Sequence, residues 1–139
     1  MSAAASSHNI PVRGQALWWG RILSAIPAIM LLFSAAMKFA RPPAVLEGFA
    51  KYGYPERVIV LIAVLEFACT VVYLIPRLSV LGAILLTGFL GGATASNVRV
   101  GGASSVIPAF LAAMAWGGLY LRDRRLRALI PLRSRRNEV

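Results

Sequence analysis

The chain is poor in the residues most chemistry uses: one cysteine, one histidine and five acidic residues in 139 positions. Cys69 stands in an apolar run without a second thiol. An internal disulfide and a Cys-x-x-Cys redox pair are therefore excluded, and the side chain reads as a small buried apolar group. His8 lies in a polar N-terminal stretch with no histidine or acidic cluster beside it, which leaves no imidazole-based metal site. Neither Gly-x-x-x-x-Gly-Lys-Ser/Thr nor Gly-x-Ser-x-Gly occurs, so phosphate-loop and serine-elbow chemistry have no support. Charged residues make up 14% of the chain, against about 25% in an average soluble domain.

What fills the sequence is apolar. Hydrophobic residues make up 58% and the mean hydropathy is +0.70. Four stretches, 22–37, 58–76, 78–98 and 100–121, contain one charged residue between them, Glu66. A membrane-spanning helix needs roughly 20 mostly apolar residues. The pattern predicts an all-α transmembrane four-helix bundle, with spans near 17–39, 57–75, 78–97 and 105–121. Flanking it are a flexible cytoplasmic tail over 1–16 and a basic cytoplasmic tail over 122–139, with the transmembrane domain at 17–121. The polar stretch before the first span is long for a signal peptide, so that span is read as uncleaved. Trp18, Trp19 and Arg21 mark its membrane boundary, and Pro27 is expected to kink it.

Between spans one and two, Arg41-Pro42-Pro43 breaks the first helix and Gly53-Tyr54-Pro55 makes a turn. Val45, Leu46, Phe49 and Ala50 between them have helical spacing, which predicts a short surface helix capping the bundle. Gly88-x-x-x-Gly92-x-x-x-Ser96 on span three, and Ala109, Ala113 and Gly117 on span four, put small residues on one face. Such faces let a second helix approach closely, either within the bundle or from another copy of the chain. Leu126, Leu129 and Ile130 among the tail arginines suggest an interfacial helix.

The net charge of +10 follows from topology rather than from nucleic acid, which is not expected as a partner. Arg13, Arg21, Arg77 and seven tail arginines would share one side, ten in all; Lys38, Arg41, Lys51, Arg57 and Arg99 make five on the other. Positive charge marks the cytoplasmic side. Both termini are expected there, the protein being integral to a cytoplasmic membrane of bacterial type and in contact with anionic lipid.

Glu66 is the residue that most invites a chemical reading. It lies nine residues past Arg57, about 13 Å into the membrane, where an unpaired carboxylate is costly. It should face the bundle interior, with Thr70 and Tyr73 on the same face. Lys38, one turn past Ser34, is its best partner in sequence; Thr94, Asn97 and Arg99 end span three on the same side. These residues can converge on a polar pocket opening outward, with Glu66 as floor, Lys38 and Arg99 as rim and the 40–56 segment as lid. Glu66, Lys38 and Arg99 are the catalytic candidates; Ser34, Thr70, Tyr73, Thr94 and Asn97 are the lining candidates. A buried Lys38–Glu66 pair that only fixes helix register is the structural alternative.

Several short motifs occur in order: Ser34-Ala-Ala-Met-Lys38-Phe, Gly53-Tyr-Pro55, Leu65-Glu66-Phe, Leu74-Ile-Pro-Arg77, Leu81-Gly82-Ala, Leu90-Gly-Gly-Ala-Thr-Ala-Ser-Asn-Val-Arg99-Val-Gly and Trp116-Gly-Gly-Leu-Tyr-Leu-Arg122-Asp-Arg. Taken together, they resemble the DoxX-like family of small four-span membrane proteins, over about residues 22–131. The family pattern places His in a Thr-His-x-Arg sequence where this chain has Asn97; proton transfer through that His would not be available here. The resemblance implies a membrane bundle and links to quinone-dependent sulfur oxidation and membrane oxidoreductase assemblies. The residues identify no cofactor; the resemblance allows a quinone.

Three functions stay open. One is binding of a lipophile, as a subunit beside a partner oxidoreductase. Another is a stand-alone isomerase or epoxide-opening hydrolase with Glu66 as acid/base and Lys38 or Arg99 stabilising developing negative charge. The last is a structural or assembly role.

Overall fold

The computed structural model describes residues 12–129, and every regular element among them is helical. α1 (Val12–Ala40) is followed by the short α2 (Pro43–Lys51), then α3 (Arg57–Leu74), α4 (Ser79–Arg99), α5 (Val106–Arg122) and α6 (Arg124–Leu129). A 3-10 turn, Ala103–Ser105, leads into α5. α1, α3 and α4 are long and apolar enough to cross a membrane; α5 is apolar and has 17 residues. At 1.5 Å per residue α5 reaches about 26 Å, the short end of what spans a bilayer.

α1 begins at Val12, earlier than the Leu17 expected for the first span, and runs through the buried Pro27 as one helix. Proline leaves a carbonyl without its helical donor, and burial against neighbouring helices keeps such a segment helical. α1 ends at Arg41, whose φ of 49° is left-handed and whose N–H still reaches Met37 O at 3.0 Å. Pro43 then starts α2 without losing a hydrogen bond, because the first helical N–H has no intrahelical partner.

The four long helices form a ring: α1 packs on α3 and α5, and α4 packs on α3 and α5. α1 and α4 thus face each other across one diagonal, α3 and α5 across the other. Apolar side chains such as Ile29, Phe33, Leu61, Val106 and Phe110 are more than 60% exposed. An apolar outer surface on this scale suits lipid and not water.

The closest helix contacts are made by glycine, but at other positions than the sequence spacing suggests. A Cβ built on Gly118 would lie 2.7 Å from Ser24 N and 2.9 Å from Gly20 O, so α1 and α5 touch backbone to backbone. Gly20, Ser24 and Ala28 recur every four residues on the buried face of α1, the small-residue stripe of a membrane helix interface. At the α3–α4 turn, a Cβ on Gly82 would lie 2.8 Å from Tyr73 Cβ. By contrast, a Cβ on Gly88, Gly91 or Gly92 would meet nothing within 4 Å. The expectation that Gly88 and Gly92 seat a neighbouring helix of the bundle is therefore corrected: α4 meets α3 and α5 through its other faces. Ala109 and Ala113 are likewise exposed.

Tyr73 bridges the α3–α5 diagonal, its hydroxyl donating to Ala115 O at 2.8 Å, while Trp116 Nε1 ties α5 to α4 through Thr87 Oγ1 at 2.8 Å. Both bonds lie in the half of the bundle nearer α6. There the Asp123 carboxylate caps α6 at the Arg125 and Leu126 amides, and Leu126 is buried against the bundle. Ile130 lies outside the described residues.

Candidate functional site

Among the described residues no side-chain hydrogen bond joins α1 to α4, and in the half of the bundle nearer α2 a cavity of about 610 Å³ opens. Its lower wall comes from Leu31 and Ser34 of α1, Ile62 and Glu66 of α3, and Leu111 of α5. Gly88, Phe89, Gly92, Ser96 and Asn97 form the α4 side, and Phe49, Tyr52 and Tyr54 of the α2 segment close the top.

The polar centre is an ion pair. Lys38 Nζ donates to Glu66 Oε2 at 2.7 Å, joining α1 to α3. The Glu66 side chain is 3% exposed and that of Lys38 15%. A buried charge persists in an apolar medium only with such a partner. Lys38 also donates to Ser34 Oγ, one turn back on its own helix. An ammonium carries three donors, so one N–H has no protein acceptor among the described residues. Glu66 Oε1 likewise makes no hydrogen bond among them, and Glu66 borders the cavity. One free donor and one free acceptor thus belong to side chains that border the same, mostly apolar chamber.

Ser34, Lys38, Glu66 and Asn97 all line the cavity, as their spacing predicts. Four other candidates do not. The Thr70 hydroxyl donates at 2.8 Å to the backbone carbonyl of Glu66, not to its carboxylate, because a helical threonine in apolar surroundings satisfies itself on the turn before. Thr94 does the same on Leu90 O at 2.8 Å. Tyr73 is two turns further down α3 and bonds Ala115 instead. Arg99 does not approach Glu66: its guanidinium reaches Tyr52 O and fastens the end of α2.

Arg99 belongs to a latch. Tyr52 Oη donates to Asn97 Oδ1 at 2.7 Å, and Tyr54 Oη pairs with Ser96 Oγ at 2.8 Å. Asn97 is oriented for this by its own Nδ2, which donates to Ala93 O at 2.9 Å. Phe49 and Tyr54 pack ring to ring with centroids 6.1 Å apart. The helical spacing of Val45, Leu46, Phe49 and Ala50 was the sequence signal for a cover, but its partners on α4 were not readable from spacing. Among the described residues no three or more His, Cys, Asp or Glu side chains converge as metal ligands would.

Searches of curated proteins and of solved structures returned no match to this chain. The sequence model of the DoxX-like family matches residues 22–118, which takes in α2, α3, α4 and the cavity-lining parts of α1 and α5. With its apolar helices and this match, the chain is an integral membrane protein and belongs to the DoxX-like family.

Proposed function

We propose that this protein binds a lipophilic small molecule whose polar head enters the cavity between α1 and α4 and hydrogen-bonds to Lys38. The observation that carries the reading is the unpaired N–H of Lys38 beside a neutralised charge, in a chamber of about 610 Å³ with mostly apolar walls. A site of this volume and polarity is the usual form of a small-molecule pocket. Because the Lys38–Glu66 pair has no net charge, a neutral acceptor such as a ketone or quinone carbonyl suits it better than an anion. A quinone meets that description, and a partner oxidoreductase subunit would then supply the electrons. In the orientation set by the basic residues, both termini are cytoplasmic and the cavity opens on the opposite face of the plasma membrane.

The test is the organic extract of the purified protein, analysed by mass spectrometry. The wild type should carry a lipophile in near-stoichiometric amount, and the double variant Lys38→Met with Glu66→Leu, in which neither charge is left stranded, should lose it while staying folded. Equal and trace amounts in both would overturn the reading.

One observation favours a second reading, a stand-alone membrane enzyme. Glu66 Oε1 is free to take a proton from a bound molecule while Oε2 is held by Lys38. Glu66→Gln separates the two: a binding protein keeps its lipophile, and an enzyme keeps it but no longer converts it.

A further inference from the structure

Resting on the ligand-binding reading above, we infer that Gly88 and Gly92 determine which lipophiles the cavity accepts, by leaving part of the α4 wall as bare backbone against which a flat, carbonyl-bearing ring can lie. Glycine weakens a helix, so two of them one turn apart on α4 need a reason. Packing within the bundle does not supply it, because a Cβ at either position meets nothing of this chain within 4 Å. Gly82 and Gly118, which do seat neighbouring backbone, show the difference. Residues four apart share one helix face, and here both glycines line the cavity.

α4 lies diagonally across the ring from α1, so the glycine strip stands on the far side of the chamber from Lys38 and Ser34. At these two positions no side chain stands between the chamber and the peptide planes of α4. A planar ring lies flat against them, whereas a puckered saturated ring of equal size stands off. Phe49, Tyr52, Tyr54 and Phe89 add aromatic faces and edges around the same space, and aromatic groups favour a planar π system in offset or edge-to-face contact. A carbonyl on the rim of such a ring accepts from Lys38. A hydroxyl in its place donates to Glu66 Oε1, the carboxylate oxygen left without a partner on a side chain 3% exposed.

The experiment uses the full chain in detergent micelles and calorimetric titration with two probes, 2-methyl-1,4-naphthoquinone and the saturated fused-ring ketone 2-decalone. The wild type should prefer the naphthoquinone by at least about tenfold, and Gly88→Val and Gly92→Val should each weaken it by about tenfold or more, the scale of an overpacked contact. Gly91→Val carries the same cost to the helix but lies off the cavity wall, and should bind as the wild type does. If Gly88→Val and Gly92→Val both bind the naphthoquinone normally, or the wild type does not distinguish the probes, the inference about the glycines is wrong. In that event, a loss of both probes in the folded double variant Lys38→Met with Glu66→Leu would still uphold the site. A wild type that binds neither probe overturns the inference and the ligand-binding reading for carbonyl lipophiles together.

Discussion

Gly118 and Ser24 meet so closely that no side chain fits between them: a Cβ on Gly118 would lie 2.7 Å from Ser24 N. This approach fixes the spacing of α1 and α5, and with it the width of the bundle on which the cavity opens. Gly118→Leu should therefore destabilise the protein by at least about 2 kcal/mol through overpacking. Gly88→Leu should change stability by less than about 1 kcal/mol, since it projects into open space. Thermal melting of the two variants in the same detergent checks the contrast.

The Lys38–Glu66 pair leads to a second expectation. Glu66→Leu or Lys38→Met alone leaves the other charge buried without a partner, at a cost of about 3–5 kcal/mol. The double variant should recover much of that loss, so that it melts above either single one. Strictly additive losses in this cycle would mean the two side chains do not interact.

The pair was legible before the structure because it is forced. A lone carboxylate in an apolar span must find a cation, and Lys38 was the basic residue best placed to reach it. Hydroxyl directions were not legible in this way. Thr70, Tyr73 and Thr94 each have an acceptor close at hand, a carbonyl one turn back or on the facing helix, and spacing alone does not say which wins. For Gly88 and Gly92 the within-bundle reading fails for a related reason. Small residues one turn apart look the same whether a helix or a cavity lies beyond them, and the Gly20/Ser24 stripe that does pack carries no sequence mark setting it apart from Gly88/Gly92. The ring order of the four helices decides between them.

The latch on α2 is the third expectation. Tyr52→Phe and Tyr54→Phe each remove one side-chain hydrogen bond to α4, worth about 1 kcal/mol. Amide hydrogen exchange over residues 43–54 should quicken several-fold in each and further in the double variant, with α3 and α4 unchanged. Unaltered exchange would show that Arg99, Phe49 and the chain ends hold the cover in place without the two tyrosine hydroxyls.

Orientation gives the fourth. In a Cys69→Ala background, Val45→Cys should react with an impermeant thiol reagent added outside intact cells, and Ala128→Cys should not. The reverse labelling would invert the topology set by the basic residues.

The order of the chain gives the latch one more meaning. The groups that hold α2 come from residues 42, 45 and 47 positions further along, whereas Lys38 finds Glu66 only 28 positions on. During synthesis the ion pair can close once α3 has entered the membrane, but the roof has nothing to fasten to until the end of α4 emerges. Chain order thus lets the charges pair before the lid has its partners, and the α5 wall with Leu111 is added only after both.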